Sequence, residues 1–373
     1  MSFVAPAYRD RSLADVVPAV AHALGCGEAL GEPPADLELP DAPSYVLFLV
    51  DGLGFELLRA HADRAPYLSS LLDGTRPATV GVPSTTATSL TTLGTALTPG
   101  RHGVVGFTSR IPGTDDLLNA LMWSKHVDPH AWQPHPTAFA RLAEAGVHTT
   151  MVNKREFKGS GLTDVSGRGA TFVGADRAGE RLVAVRRAAQ RAPSLTYMYD
   201  GDLDWTGHRY GVDSEQWRSQ LTAIDTAAQQ LRDELPTHTR LLVVADHGMV
   251  DVPVEHRIEV DDHPELRDGV AVLGGEARFR HVYTRPGALA DVLAAWRGVV
   301  GDRGEVLEKD EAFARGWFGE VDGEVRPRIG DVVVACREDH AVMISSAFPY
   351  EARLLGMHGS LTPVEMLVPV LLG

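Results

Sequence analysis

Two continuous apolar runs of this chain each end in an aspartate. "YVLFLVD" covers residues 45–51 and ends at Asp51, and "TRLLVVAD" covers residues 239–246 and ends at Asp246. A run without polar alternation is expected of a strand that is buried on both faces of a parallel sheet. Helix-like segments separate these and other strand candidates. The sequence therefore predicts an α/β fold with a doubly wound, mostly parallel sheet sandwiched by helices.

The pattern divides the chain into three parts. Residues 1–44 are rich in Ala, Pro and acidic residues, and apart from a short helix at "LADVVPAVAHALG" we expect an N-terminal leader packed on the surface. Residues 45–251 and 346–373 carry the strand–helix alternation and are predicted to form the main core. Residues 252–345 contain Gly-rich turns, a helix at "GALADVLAAWRGVV" and strand candidates, and are interpreted as an inserted α+β subdomain.

Composition and charge restrict the classes of function. With 373 residues and a formal net charge of −15, the chain is unsuited to nonspecific binding of nucleic acid or an anionic membrane, because both are polyanions. The two cysteines, Cys26 and Cys336, are too few for a disulfide scaffold or a cysteine-based zinc site. We find neither a transmembrane-length apolar run nor a secretory signal, so a cytoplasmic location is expected. The sequence leaves the oligomeric state open.

Aspartate and histidine recur together in further segments. "DLDWTGHRYG" contains Asp204 and His208, "ADHGM" adds His247 beside the second strand-end aspartate, and "LLGMHGS" contains His358. In open α/β sheets, ligands bind beyond the carboxyl ends of the strands, so these side chains are expected to share one edge of the sheet. A single aspartate of this kind is better interpreted as a cap or turn residue. Several unrelated turns, however, are not expected to combine aspartate and histidine in the same way.

Three carboxylates and three imidazoles form a ligand set that suits zinc, with manganese or iron as alternatives. Asp204 and His208 are four residues apart, so both project from the same side of a helical turn. A carboxylate buried at a strand end is costly unless it is paired or coordinates a metal. The sequence therefore predicts two divalent-metal sites.

Hydroxyl side chains crowd what looks like a helix start. "VPSTTATS" places Ser84, Thr85, Thr86 and Thr88 directly after Pro83. The free backbone N–H groups and the positive dipole end at such a position bind a phosphoryl oxygen. A neighbouring metal ion makes a hydroxyl a usable nucleophile at neutral pH. These residues are nucleophile candidates of a two-metal phosphoryl-transfer enzyme, and a plain Ser/Thr helix cap is the alternative interpretation.

Together these segments resemble the alkaline phosphatase superfamily, most closely its type I phosphodiesterase/nucleotide pyrophosphatase branch, from about Tyr45 to the C-terminus. "MYDGDLDWTGHRYG" and "ADHGM" are similar to the metal-binding Asp-x-x-x-His and Asp-His-Gly-Met patterns of the branch, and "LTPGRHGVVGF" to its Pro-x-x-His-Gly segment. The resemblance implies an alkaline-phosphatase-like catalytic core in residues 45–251 and 346–373. Counted back from Pro99 and His102, it places the nucleophilic threonine at Thr86, with Thr85 as the fallback.

The resemblance also implies the ligands of two zinc-type sites, with Mn²⁺ as the alternative to Zn²⁺. The first set is Asp204, His208 and His358, and the second is Asp51, Thr86, Asp246 and His247. The implied reaction is cleavage of phosphodiester or pyrophosphate bonds in a small phosphorylated substrate, nucleotide-type substrates among them. It proceeds through a covalent phospho-threonine.

Two positions depart from the pattern of the branch. The asparagine that usually follows the His-Gly and holds the phosphoryl oxygen is replaced by Phe107, and the aromatic residue that often follows the nucleophile is replaced by Ala87. The residues available to substitute are Asn119 or Asn153 for the asparagine, and Tyr199, Trp123 or Trp205 for the base-stacking aromatic residue. The preference for nucleotides is therefore left open.

Charge counting favours a diester over a monoester. The positive charge of two dications equals the negative charge of three aspartates and a threonine alkoxide, so the neutral site suits a monoanionic diester. A monoesterase usually adds a cation, for which the candidates are Arg101, Lys125, Lys154 and Arg155. The alternatives are another activity of the superfamily (phosphomonoesterase, phosphonate hydrolase or mutase) and a catalytically silent metal-binding protein.

Overall fold

The computed structural model describes residues 2–373 and is organised around a central mixed sheet. Within these residues the sheet has six strands, in spatial order Val370–Leu372, Thr239–Val244, Ser44–Val50, Ser194–Asp200, His148–Asn153 and Thr171–Gly174. Five strands run parallel, and the C-terminal strand pairs antiparallel at one edge. This arrangement confirms the predicted doubly wound, mostly parallel sheet.

Helices cover the sheet and connect its strands. The longer α-helices are Leu13–Ala23, Phe55–Ala60, Pro66–Ser70, Thr86–Thr95, Ala138–Glu144, Gly161–Gly167, Ala178–Ala189, Asp202–Tyr210, Glu215–Glu234, Leu289–Val300 and Lys309–Ala314. Short helical turns lie at Pro99–His102, Pro129–Trp132 and Pro363–Met366. No helix among residues 2–373 combines the length and the apolar character needed to cross a bilayer.

A second, antiparallel sheet lies in the later part of the chain. Its strands, in spatial order, are Val270–Glu276, Phe279–Thr284, Val332–Cys336 and Gly304–Glu308. Two-stranded pairs join Arg257–Glu259 to Ala341–Met343, Val250–Asp251 to Gly356–Met357, Ala78–Thr79 to Leu367–Val368, and Thr108–Arg110 to Leu117–Asn119. The second sheet has a hydrophobic cluster of its own, centred on Trp296, Val282 and Val334.

The strand Ser44–Val50 is the centre of the main sheet, and all seven of its residues are buried. Its neighbours on both sides are parallel, with Leu49 opposite Val244 and Val50 opposite Asp200. Because parallel strands in register end at the same edge, the residues that follow them emerge side by side. The sheet thereby brings the loops after three strands to one place.

The helix Leu13–Ala23 lies inside the core rather than on its surface. Ten of its eleven residues are buried, and Val16, Val17 and Val20 belong to the main hydrophobic cluster. A helix that is apolar on nearly all sides is expected to be buried. The short helix predicted in residues 1–44 is therefore present and belongs to the core, and the surface leader stays a prediction for the rest of that segment.

A buried ion pair joins the second sheet to the C-terminal segment. Arg278, in the hairpin of the second sheet, donates from Nε and Nη2 to the two carboxylate oxygens of Glu365, at 2.7 and 2.8 Å. Both side chains are fully buried. Glu365 also accepts from the Ser360 backbone N–H at 3.0 Å and the Thr362 hydroxyl at 2.5 Å. The pair therefore fixes the chain just after His358.

We predict that Arg278→Met destabilises the fold by about 3–5 kcal/mol, because it leaves the Glu365 carboxylate buried without its partner. Arg59→Met is the matched control: Arg59 pairs with Glu56 at an exposed position, and its loss is expected to cost less than about 1 kcal/mol. Urea unfolding followed by fluorescence measures both. Equal effects of the two substitutions would contradict the structural role of the buried pair.

Candidate metal centre

All seven predicted site residues lie at the carboxyl edge of the main sheet. Asp51 directly follows the strand Ser44–Val50, and Asp246 and His247 follow Thr239–Val244. The other four come from different elements: Asp204 and His208 from the helix Asp202–Tyr210, Thr86 from the start of the helix Thr86–Thr95, and His358 from the residue after Gly356–Met357. The structure therefore brings the whole predicted set together.

Asp204, His208 and His358 form a first group. The Nε2 atom of His208 lies 3.3 Å from Oδ2 of Asp204, and the Nε2 atom of His358 lies 3.7 Å from Oδ1. The potential ligand atoms of the three residues all lie within 4.8 Å of one another. Asp204 faces both imidazoles because it stands one helical turn before His208. This spacing matches a site for a single ion.

Asp51, Asp246, His247 and Thr86 form a second group. The Nε2 atom of His247 lies 3.3 Å from Oδ1 of Asp51, 3.5 Å from Oδ2 of Asp246 and 3.2 Å from the Thr86 hydroxyl. The Thr86 hydroxyl is 3.4 Å from Oδ2 of Asp51. Asp204 also lies within 4.8 Å of Asp51 and His247, so this carboxylate stands between the two groups.

Backbone carbonyl groups orient the three imidazoles. Each Nδ1 atom lies against one carbonyl oxygen: His208 against Gly356 at 2.8 Å, His247 against Gly248 at 3.0 Å, and His358 against Ser84 at 3.0 Å. A carbonyl oxygen only accepts hydrogen bonds, so the ring proton belongs on Nδ1. The lone pair on Nε2 then faces the carboxylates, which is the orientation of metal-ligating histidines.

The carboxylates have neighbours that disfavour their charge. Burial, followed by the nearby charges of Asp246 and Asp204, raises the pKa of Asp51 well above its usual range. Burial also raises the pKa of Asp204 and of Asp246. One oxygen of each carboxylate is buried without a hydrogen-bond partner in the part of the chain that the structure describes: Oδ1 of Asp51, Oδ1 of Asp204 and Oδ2 of Asp246.

Burial favours the neutral form of two histidines of the site, His247 and His358. Burial lowers the pKa of His247, and burial together with the nearby imidazoles lowers that of His358 well below the usual range. Neutral imidazole nitrogens and unpartnered carboxylate oxygens are ligands for divalent ions such as zinc. The donor set therefore fits two divalent cations, and their positive charge would also offset the repulsion among the three carboxylates.

Thr86 is the hydroxyl residue that faces this cluster. It is the first residue of its helix, and the preceding Thr85 is the N-cap in extended conformation. The Ser84 hydroxyl donates instead to the Ser360 carbonyl at 2.6 Å, and Thr85 lies beside the carboxyl group of Glu276. Of these candidates, Thr86 is therefore in the position that the nucleophile requires.

A cavity of about 430 Å³ opens over the cluster and is lined by Thr86, Asp204, His208 and His358. Asn119 also lines it, whereas the buried Asn153 accepts a hydrogen bond from the backbone N–H of Lys154 at 2.8 Å and is not part of the wall. The side-chain oxygen of Asn119 accepts from the backbone N–H groups of residues 121 and 122, at 3.0 Å each. The side-chain amide nitrogen of Asn119 takes no part in these two hydrogen bonds.

The aromatic residues proposed for stacking have other roles. The Tyr199 hydroxyl donates to Oδ2 of Asp51 at 2.5 Å, Trp123 donates to the Val127 carbonyl at 2.9 Å, and Trp205 lies on the exposed face of its helix. The aromatic wall of the cavity is made instead by Phe107 and Tyr350, whose ring centroids are 5.6 Å apart. None of the four candidate cations, Arg101, Lys125, Lys154 and Arg155, lines the cavity described within residues 2–373.

Sequence reasoning missed Glu276 and Tyr350, which line the cavity. Glu276 stands in "LGGEARF", where a glutamate beside glycines is typical of a solvent-exposed turn. Tyr350 lies in a Pro-containing loop without periodicity. Both residues reach the site only because the chain between His247 and His358 folds back over the cavity, and no local sequence pattern predicts that contact.

Comparisons with known proteins agree with this arrangement. A family model described as type I phosphodiesterase/nucleotide pyrophosphatase matches residues 45–361. Ectonucleotide pyrophosphatase/phosphodiesterase family member 7 of Mus musculus and of Rattus norvegicus are each 34% identical to this chain over 64 residues. That match covers 16% of this chain and 15% of the length of each relative.

Solved structures share the fold over most of the chain. Murine ectonucleotide pyrophosphatase/phosphodiesterase 5 superposes with a TM-score of 0.69 at 18% identity, covering 88% of this chain and 87% of its own. The human protein of the same name has a TM-score of 0.67 at 18% identity and the same coverage, as does an inactive variant of the murine protein in complex with AMP. This likeness confirms the expected alkaline-phosphatase-like α/β fold.

The raised pKa values of the carboxylates at the site make the stability of the fold depend on pH. A folded-state pKa above the unfolded value means that the folded protein binds more protons, so stability falls as the pH rises above the unfolded pKa. After treatment with a chelator, Asp51→Asn is therefore expected to unfold at a higher temperature than the wild-type protein at about pH 8. The difference should shrink towards about pH 4, as measured by differential scanning fluorimetry.

Asp225→Asn is the matched control, because the Asp225 carboxylate is also buried but accepts hydrogen bonds from the backbone N–H groups of Tyr67 and Leu68, at 3.3 and 2.7 Å. This substitution is expected to lower stability at both pH values. If Asp51→Asn behaved like the control, the interpretation of an electrostatically crowded site would be wrong.

Proposed function

The chain belongs to the type I phosphodiesterase/nucleotide pyrophosphatase family, and on that premise we propose that it is a metal-dependent hydrolase that cleaves phosphodiester or pyrophosphate bonds in small phosphorylated substrates. The observation that carries the proposal is the convergence of three carboxylates, each with an unpartnered oxygen, on the Nε2 atoms of three imidazoles beside the Thr86 hydroxyl.

Two divalent cations, Zn²⁺ with Mn²⁺ as the alternative, are the proposed cofactors. Asp204, His208 and His358 would hold one ion, and Asp51, Thr86, Asp246 and His247 would hold the other. When bound, such ions lower the pKa of a coordinated hydroxyl and stabilise negative charge on phosphoryl oxygens. The unpartnered oxygens of the three aspartates support this assignment, because a buried carboxylate without a partner is costly.

In the proposed reaction the Thr86 oxygen attacks phosphorus. Its hydroxyl proton passes to solvent water, a bond forms between the threonine oxygen and phosphorus, and the bond to the leaving alcohol or phosphate breaks in line. The leaving oxygen takes up a proton from water. A water molecule then attacks the phospho-threonine, releasing the phosphorylated product and restoring the hydroxyl. Thr86 stands at the helix start and lines the cavity, and its hydroxyl lies against Asp51 and His247 of the cluster.

The charge of the cavity wall supports a monoanionic diester as the substrate. In the described part of the chain, no Lys or Arg side chain lines the cavity to neutralise the second negative charge of a monoester. Phe107 and Tyr350 offer aromatic surface for a nucleotide base, and a structural neighbour is an inactive variant in complex with AMP. Nucleotide-type diesters are therefore the first substrates to assay.

We predict that Thr86→Ala lowers kcat/KM for a phosphodiester by about a thousandfold or more, because the nucleophile is lost. About two equivalents of zinc should remain by atomic absorption, since most ligands are intact. Thr85→Ala is the matched control at the neighbouring hydroxyl and should keep activity within about tenfold. A larger loss in the control would move the nucleophile to Thr85, and zinc binding without turnover by the wild-type protein would indicate a silent metal-binding protein.

We also predict a preference for bis-p-nitrophenyl phosphate over p-nitrophenyl phosphate of about tenfold or more in kcat/KM, because the site offers no cation for the extra charge of the monoester. Release of p-nitrophenol from both substrates, with the same zinc-loaded enzyme, measures this ratio directly. A preference for the monoester would assign the protein to the phosphomonoesterases of the superfamily instead.

A further inference from the structure

Glu276 places in the wall of the cavity a carboxyl group that is not among the predicted metal ligands. It ends the strand Val270–Glu276 and is 7% exposed. It lines the same cavity as Thr86 and Asn119. Its Oε1 atom is buried and has no hydrogen-bond partner among residues 2–373. A buried acceptor without a partner is rare in folded proteins and carries a free-energy cost, which calls for a functional explanation.

A second glutamate of the same wall provides the contrast. Glu351 is also buried, but its two carboxylate oxygens are bound by the guanidinium group of Arg280. The charge of Arg280 also favours the ionised form of Glu276, but less than burial opposes it. Glu351 is therefore satisfied within the fold, whereas Glu276 keeps an unpartnered acceptor in a side chain that lines the cavity.

The position of Glu276 is fixed by its neighbours. The Thr108 hydroxyl donates to the carbonyl of the preceding Gly275 at 2.7 Å, and Gly275 adopts a left-handed conformation with φ of 83°. A Cβ atom added at Gly359 would lie 2.8 Å from Cγ of Glu276, so the side chain packs tightly against the segment that carries His358. Glu276 is therefore held against the site rather than free to turn to solvent.

The rest of this wall offers no charge that would satisfy Glu276. Phe107, Met122, Tyr350 and Leu354 give the cavity apolar surface, and its described lining includes no Lys or Arg. Burial raises the pKa of Glu276 to about 8, against the smaller opposing effects of hydrogen bonds from the Thr85 side chain and the Phe107 backbone, and these leave Oε1 without a partner. A carboxyl group keeps an oxygen that accepts hydrogen bonds in both protonation states. The missing partner is thus a hydrogen-bond donor that the substrate brings.

We propose that Glu276 is a specificity residue that accepts a hydrogen bond from a donor group, a hydroxyl or a primary ammonium, on one ester arm of the substrate. The proposal rests on the phosphodiester hydrolysis proposed above. A substrate that carries the donor group gains this hydrogen bond when it binds. A substrate that lacks the donor group leaves the Glu276 carboxyl group desolvated and without a hydrogen-bond partner. Discrimination against the analogue without the donor is the expected consequence.

Matched p-nitrophenyl diesters test the proposal. The aminoethyl diester is compared with the propyl diester of equal length, and the hydroxypropyl diester with the butyl diester, at about pH 8 with the nonenzymatic rate subtracted. The wild-type kcat/KM should favour the aminoethyl arm over propyl by about tenfold or more, and the hydroxypropyl arm over butyl by a smaller factor. The two pairs distinguish an ammonium from a hydroxyl as the preferred donor.

Substitutions test whether Glu276 is the residue that causes this substrate preference. Glu276→Leu should reduce both ratios to about one or below, and Glu276→Gln should lower the ammonium ratio while keeping most of the hydroxyl ratio. Glu255→Gln removes the same charge from an exposed position and should leave both ratios unchanged. Because each ratio is taken within one protein, a general loss of activity cancels.

A wild-type ratio of one or less in both pairs would overturn the proposal without any variant, as would unchanged ratios in Glu276→Leu. If the propyl and butyl diesters are still cleaved in either of these cases, only the role of Glu276 is rejected and the proposed hydrolase function stands. Failure of the wild-type enzyme to cleave any of the four diesters would instead reject the proposed function itself.

Discussion

Repulsion among three buried carboxylates at one edge of the sheet is the interaction on which the rest of this structure depends. Asp51, Asp204 and Asp246 each bury one oxygen that no described residue satisfies. Burial raises the pKa of all three, and the charge of neighbouring aspartates adds to the shift of Asp51 and Asp246. A fold tolerates such a cluster only when it serves function, because the same positions filled with neutral residues would be more stable. The imidazoles beside them complete a ligand set, which turns a destabilising feature into a site for cations.

The surrounding structure keeps this cluster in place. Parallel pairing in register ends three strands at one edge, and that edge presents Asp51, Asp246 and His247 together. The buried pair between Arg278 and Glu365 fixes the C-terminal segment that carries His358. The second sheet therefore contributes twice, by anchoring a proposed ligand segment and by supplying the cavity wall. The division of the chain at residues 252 and 345 stays a prediction, although the second sheet falls inside that range.

Local patterns in the sequence were sufficient for the fold class and the family, and they identified the residues that converge. Strand-end aspartates, the four-residue spacing of Asp204 and His208, and hydroxyls at a helix start are all features of contiguous segments. Glu276 and the aromatic wall could not be predicted in this way, because their place depends on how two sheets pack. Asn119 reaches the cavity through the hairpin Thr108–Arg110 and Leu117–Asn119, and sequence alone left it equivalent to Asn153. The roles of the seven residues as ligands and nucleophile stay predictions.

Crystals of the zinc-loaded protein, with diffraction recorded on both sides of the zinc absorption edge, would show directly whether the site binds two ions. We expect two anomalous peaks, one bounded by Asp204, His208 and His358, and one bounded by Asp51, Asp246, His247 and the Thr86 oxygen. A single peak, peaks elsewhere on the surface, or a Thr86 side chain directed away from both ions would rule out the proposed two-metal site.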